Sequence, residues 1–256
     1  MFAEQRRQRI VEMLREEGSV RVRALSQAFA VSGPTIRQDL EILEAEGLIT
    51  RQHGGAFLKT VPQQVEQMTL AHGENMDRKM AIGRKAAAFI NNGDSIILDS
   101  GSTTTAIAHH IRTRKDLTVI TNALNIALIL GAEPSFTIHL TGGVFKPPTL
   151  SLTGDVAAEY FGKIFVPKLF LATGAVSFEA GLTFPGFADM KVKKAMMKSA
   201  SEIFLVADSS KIGKISFVHL GGLEAIHHII IDNGVSDADR ERFRAAGVDV
   251  IIADPV

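Results

Sequence analysis

From residue 75 onward, short apolar runs rich in β-branched residues alternate with stretches of helical spacing, and that alternation leaves few folds open. A run without polar alternation is covered on both faces, and the helices between runs supply both the cover and the crossovers that parallel strands need. The pattern predicts a mainly parallel α/β domain. Its expected strands are 95–98, 118–121, 137–140, 169–172, 203–207, 228–231 and 248–252. Its expected helices are 77–90, 103–111, 122–130, 156–161, 191–201 and 237–246.

The first 58 residues have a different texture. Ile10, Val11 and Leu14 recur at helical spacing before Gly18, and Leu25 and Phe29 stand four residues apart in a second short helix at 22–29. Ser32 is a favourable N-cap, and Pro34 is tolerated only in a first helical turn, so a third helix starts at about Gly33. In that helix Ile36, Leu40 and Leu43 are expected to face a core, while Thr35, Arg37, Gln38 and Glu41 face outward. Residues 48–57 then read as a strand, a glycine turn and a return strand. Together these elements predict a winged helix-turn-helix, in which the N-terminal half of the third helix enters the major groove of DNA.

Ser32, Thr35, Ile36, Arg37 and Gln38 are the candidate DNA contacts from this helix. Arg51, His53, Gly54 and Gly55 are the candidates from the wing. Arginine pairs with phosphates or guanine edges, glutamine addresses an adenine edge, and the two glycines let backbone amides approach a phosphate. Acidic and basic residues nearly cancel up to Lys59. Affinity for double-stranded operator DNA must therefore come from arginines gathered on one side and from two heads acting together.

Residues 59–74 are polar and contain Pro62, which reads as a linker. The expected organisation is a head at 1–58, a linker at 59–74 and an α/β domain at 75–256.

Ligands of open α/β sheets bind beyond the carboxyl ends of the strands, and here those positions are small and polar. After the first strand comes Asp99-Ser100-Gly101-Ser102-Thr103-Thr104-Thr105, where glycine permits a tight turn and amides and hydroxyls gather at a helix start. Such a loop suits an anion, phosphate above all. Thr121-Asn122, Thr141-Gly142-Gly143, Thr173-Gly174 and Asp208-Ser209-Ser210-Lys211 follow later strands in the same way. Lys194 and Lys211 are expected to neutralise a phosphate, and Asp99, Asp189 and Asp208 to accept hydrogen bonds from sugar hydroxyls.

The chain has no cysteine, which excludes disulfides, thiolate catalysis and cysteine-based zinc sites. The pairs His109-His110 and His227-His228 lack a second-ligand pattern, and neither a dinucleotide fingerprint nor an ATPase-type phosphate loop is present, so no metal or cofactor is expected. No apolar run is long enough to span a bilayer and no apolar targeting core opens the chain, so a cytoplasmic location is the expectation. The alternative to a gene regulator is a sugar-phosphate isomerase with an added head. It would need a general base near the substrate, and no spacing brings Asp99, Asp189, Lys194 and Asp208 together as an acid–base pair, so no catalytic residue is assigned.

Residues 31–40, the wing Arg51-Gln52-His53-Gly54-Gly55-Ala56, the Leu98–Thr104 loop, Thr121-Asn122, Thr141-Gly142-Gly143 and Ala207-Asp208-Ser209-Ser210-Lys211 appear in an order and spacing that resembles the DeoR family of bacterial sugar-metabolism regulators. The resemblance implies a winged-helix head and a sensor domain related to the ribose-5-phosphate isomerase fold. It also implies a phosphorylated sugar effector, repression of a catabolic operon, and a homodimer or homotetramer that reads repeated half-sites. Within it, Gly101, Ser102, Thr103, Thr104, Thr121, Asn122, Gly142, Gly143 and Gly174 join the charged residues above as expected effector contacts. Gln38 stands where the family usually carries a second basic residue, and Asp189 where it usually carries glutamate. Lys146-Pro147-Pro148-Thr149 is stiffer than the polar loops common in the family.

Overall fold

The computed structural model describes residues 3–17, 19–46, 48–52, 54–58 and 75–255. The chain divides into two compact units, Met1–Leu70 and Ala71–Val256. The expected linker, 59–74, lies outside the described residues, as does His53.

In the first unit α1 (Ala3–Glu17) is followed by β1 (Ser19–Arg21), α2 (Val22–Phe29) and α3 (Gly33–Ala45). A hairpin of β2 (Ile49–Gln52) and β3 (Gly55–Leu58) closes the unit, and β1 pairs antiparallel with β3 to give the order β1-β3-β2. The short β1 was not expected. It has no pattern of its own and exists only because β3 offers it an edge. Ala30 ends α2 in the left-handed region (φ 52°), turning the chain into Ser32, whose Oγ accepts the Thr35 N–H at 3.4 Å and caps α3. Such a cap is worth about 1 kcal/mol. Ile10, Leu14, Leu25, Ile36, Leu40, Leu43 and Ile49 form the core. An ion pair lies among them: Arg6 Nε donates to Asp39 Oδ2 at 2.6 Å and Arg6 Nη2 to Oδ1 at 3.2 Å, with both side chains buried.

The second unit begins with α4 (Met76–Ala87), β4 (Ser95–Leu98), α5 (Ser102–Ile111), β5 (Thr118–Thr121), α6 (Leu124–Leu130) and β6 (Thr137–Leu140). It continues through β7 (Val144–Lys146), β8 (Ser151–Thr153), α7 (Asp155–Phe161), β9 (Val166–Ala172), β10 (Ala175–Ser177), β11 (Gly181–Phe184) and α8 (Met190–Lys198). The last elements are β12 (Ala200–Val206), β13 (Val218–Gly221), β14 (His228–Asp232), α9 (Asp237–Ala245) and β15 (Asp249–Ala253). Seven strands form one parallel sheet in the order β15-β14-β12-β9-β4-β5-β6.

The sheet has a core on each face. Ile97, Leu169, Leu171, Ile203, Leu205, Ile229 and Ile231 point to one side, where Phe161 of α7, Val192 and Met196 of α8 and Phe243 of α9 meet them. Ile96, Leu98, Phe170, Phe204, Val206 and Ile230 point to the other, against Ile82 of α4, Ile107 of α5 and Ile126 of α6. Because successive strand residues face opposite sides and both sides are covered, the runs of the central strands are almost continuously apolar, while the edge strand β6 is largely exposed.

Two antiparallel additions were not expected: the β7–β8 hairpin and a small sheet in the order β10-β11-β13. The helix expected to reach residue 201 stops at Lys198, because Ala200 already pairs with Val166 of β9. The helix expected from Asn122 begins at Leu124, since the Asn122 side chain and carbonyl are engaged by β8 at Leu152.

Candidate functional site

Each unit holds one candidate site. In the head, a cleft of about 430 Å³ between α3 and the wing is lined by Arg37, Leu40, Glu44, Arg51, Gly54 and Gly55, with Val22 behind. Arg37 and Gln38 are exposed on α3, and Ser32 and Thr35 hydrogen-bond through their hydroxyls at 2.8 Å. Ile36 is fully buried and leaves the set of DNA-facing residues: its helical phase turns it into the core beside Leu40.

Arg51 bridges the two parts of the head. Its Nε donates to Glu44 Oε2 at 2.7 Å and its Nη1 to Glu41 Oε1 at 2.8 Å, and the bond with Glu44, then that with Glu41, raises the guanidinium's already high pKa. The wing is thereby tied to α3. Gly54 turns at φ 83° with open space around it, whereas a Cβ on Gly55 would lie 2.3 Å from the Val20 carbonyl oxygen. Gly55 is thus required by the β1–β3 approach.

In the second unit, a cavity of about 220 Å³ opens at the carboxyl ends of β4, β9 and β12. Ser100, Gly101, Ser102 and Thr103 form one wall where α5 begins, and Thr173 and Gly174 after β9 form another. A Cβ on Gly101 would come within 2.9 Å of the Ala172 Cβ, so glycine lets the β4 and β9 ends close together. Lysines reach the cavity from four elements: Lys79 from α4, Lys146 from β7, Lys193 from α8 and Lys211 from the turn after β12.

Lys193 and Lys146 each meet a carboxylate. Lys193, buried, donates to the fully buried Asp99 and lies 4.6 Å from the centre of the Phe184 ring. Burial pushes the Asp99 carboxyl up, while Lys193 and the Ala172 N–H at 3.0 Å pull against that rise. Lys146 Nζ meets Asp189 Oδ2 at 2.5 Å.

Of the expected effector contacts, Gly101, Ser102, Thr103, Gly174, Asp189 and Lys211 line this cavity, and Asp99 lies beneath it through Lys193. The others do not. Thr104 donates its hydroxyl to the Gly101 carbonyl at 2.9 Å and is consumed in starting α5. Thr121 Oγ1 accepts the Ala123 N–H, and Asn122 Nδ2 donates to the Leu152 carbonyl. A Cβ on Gly143 would sit 2.4 Å from the Thr153 carbonyl oxygen, so Gly142-Gly143 serves the β7–β8 hairpin. Asp208 caps the turn at Ser210. Lys194 is exposed on the outside of α8. Its neighbour Lys193 is the inward lysine, and the sequence carried the signal: Lys193 lies three residues from each of the buried Met190 and Met196, on one helix face. Lys79 and Lys146 had no comparable signal.

The DeoR-like helix-turn-helix domain matches residues 6–61, and the DeoR C terminal sensor domain matches residues 74–233. The chain belongs to the DeoR family. It is 35% identical to the HTH-type transcriptional regulator GlpR of Haloferax volcanii, over 98% of each chain. It is 33% identical to a putative aga operon transcriptional repressor of Escherichia coli O157:H7, over 97% of this chain and 93% of that one. With the glycerol-3-phosphate regulon repressor of Escherichia coli K12 it shares 28% identity over 89% and 90%. This DeoR-family regulator thus has its DNA-binding head in the first unit and its sensor in the second.

Among solved structures, ribose 5 phosphate isomerase A from Neisseria gonorrhoeae is 14% identical, with a TM-score of 0.39 over 55% of this chain and 54% of that one. Chaetomium thermophilum eIF2B delta is 16% identical, with a TM-score of 0.44 over 59% and 54%. At these scores neither likeness bears on what the DeoR sensor does.

Proposed function

We propose that this DeoR-family regulator represses a carbohydrate catabolic operon, and that a phosphorylated sugar in the sensor cavity controls its hold on DNA. The observation that carries this reading is the meeting of Lys79, Lys146, Lys193 and Lys211 with the hydroxyls and amides at the start of α5. Four cations around a small cavity suit a phosphate dianion, and Asp189 at the same wall suits sugar hydroxyls. Two relatives, named as a glycerol-3-phosphate regulon repressor and a putative aga operon transcriptional repressor, support the same class of effector.

Residues 1–58 act as the head, 59–74 as the linker and 75–256 as the sensor and oligomerisation domain. The nearly neutral head works as a homodimer or homotetramer on paired half-sites, with Arg37 and Gln38 toward the bases and Gly54 toward a phosphate. The protein acts in the cytoplasm, where its operator lies. No helix among the described residues is long and apolar enough to cross a membrane. An isomerase reading would require a carboxylate ready to take a proton, and Asp99 and Asp189 are each engaged by a lysine.

Thermal-shift screening against pentose, hexose and triose phosphates tests the sensor: one compound raises the midpoint and lowers operator affinity. Ser102→Ala with Thr103→Ala weakens that compound by roughly tenfold or more, the scale of one or two charge-assisted hydrogen bonds. Arg37→Ala abolishes sequence-selective binding. Unchanged affinities in these variants, or turnover of a sugar phosphate, would overturn the reading.

A further inference from the structure

The cavity lysine Lys211 sits on a three-residue 3-10 turn, Ser209–Lys211, that two buried carboxylates hold in place. Asp208 Oδ1 accepts the Ser210 N–H at 3.1 Å and also the Ser210 hydroxyl. Asp232 Oδ1 accepts the Ser209 N–H at 2.6 Å, and its Oδ2 accepts the Ser209 hydroxyl at 2.9 Å. The turn is then bound to the first turn of α4. Asn75 Nδ2 reaches Asp208 Oδ1 at 3.3 Å and Ser210 Oγ at 3.2 Å. Arg78 Nη1 donates to Ser209 Oγ at 3.0 Å, with its Nε 3.8 Å from Asp232 Oδ2.

Asn75 is unusual in its local role. It occupies the N-cap of α4 but makes no side-chain bond to its own helix, where asparagine ordinarily accepts from the second or third helical amide. Its backbone is left-handed (φ 59°, ψ 34°), a conformation that asparagine tolerates better than most residues. The amide is spent on the turn. One helical turn further on, the Lys79 N–H donates to the Asn75 carbonyl at 3.0 Å, and the Lys79 side chain lines the cavity. The start of α4 therefore meets the cavity twice, directly through Lys79 and through the turn that carries Lys211. In the sequence, the residues just before Asn75 are the stretch 59–74 that leads to the head.

We infer that Asn75 and Arg78 are positioning residues that couple occupation of the sensor cavity to the chain leading to the DNA-binding head. This rests on the sugar-phosphate reading of the cavity. An anion that engages Lys79 and Lys211 together draws the turn and the start of α4 toward one point, and the Asn75 and Arg78 bonds make the two move as a unit. Neither residue lines the cavity. Their loss should therefore spare binding and remove its effect. Coupling is a free energy separate from either affinity, so the two are measurable apart.

Full-length protein is bound to a duplex that it selects from a random-sequence pool, then titrated with ribose 5-phosphate, glucose 6-phosphate and glycerol 3-phosphate. Asn75→Gly keeps the left-handed backbone and removes the amide, and Arg78→Ala removes the second link. Ser209→Ala breaks that link from the turn side and serves if either of the first two misfolds. The active compound is expected to bind each variant within about threefold of the parent, while its effect on DNA affinity falls from roughly the 5- to 150-fold usual for allosteric coupling to about onefold. Variants that keep the parent's full coupling overturn the inference and leave the sugar-phosphate reading standing. Variants that lose compound binding place Asn75 and Arg78 in the binding site itself, which also overturns it. If no compound changes DNA affinity in the parent, both readings fall.

Discussion

Asp39 faces inward from α3 and both of its oxygens accept from Arg6, with Arg7 Nη1 3.6 Å from Oδ1. Asp39→Asn would leave a buried guanidinium without its countercharge, at a cost of about 3–5 kcal/mol by analogy with broken buried pairs. Urea unfolding of the full chain, followed by a probe in the head, measures the loss. Asp94 makes the stability of the sensor depend on pH. Burial pushes its carboxyl up, but the Asn91 N–H and the Lys168 ammonium outweigh burial and hold it below the ordinary aspartate value. Its contribution to sensor stability is present above that ordinary value and lost as pH falls through the lowered one. Asp94→Asn should flatten that part of the acid-unfolding curve, read by circular dichroism at stepped pH. At this scale the sequence is legible only where one residue type has one use. Ser32 and Pro34 marked the start of α3, but Lys193 and Lys194 are chemically identical, and only the buried face of α8 separates them.

The elements were legible in proportion to how much of their own pattern they carry. The central parallel strands, buried on both faces, announce themselves as apolar runs, and α3 is fixed by its cap and proline. By contrast β1, β7, β8, β10, β11 and β13 are short; β7–β8 and β10–β11 are local hairpins, while β1 and β13 depend on partners, β3 and β11, that are distant in sequence. The same dependence explains the cavity: its lysines belong to four elements whose convergence no local spacing encodes. Helix packing makes a sharper demand. A Cβ on Gly83 of α4 would lie 2.6 Å from the Ala106 carbonyl carbon and 2.8 Å from the Ala106 Cβ of α5. Gly83→Ala should gain helix propensity yet lose about 1–3 kcal/mol through overpacking, so its thermal midpoint falls. A midpoint that rises would mean the two helices separate at no cost.

For the whole chain, the decisive fact is that each unit has its own core. Calorimetry should resolve two unfolding transitions. A bound phosphorylated sugar should move only the sensor's, by about 2.7 kcal/mol at a hundred times its dissociation constant. Movement of both transitions by equal amounts would show that the units unfold as one. Separate cores also fix what damage to the gene looks like under the proposed repressor reading. A substitution in the sensor cavity that spares the sheet leaves the head competent and deaf to its signal, so the operon is shut permanently. A substitution among Ile10, Leu25 and Ile36 removes the head, so the operon runs unchecked. Opposite phenotypes would thus map to opposite ends of a single gene.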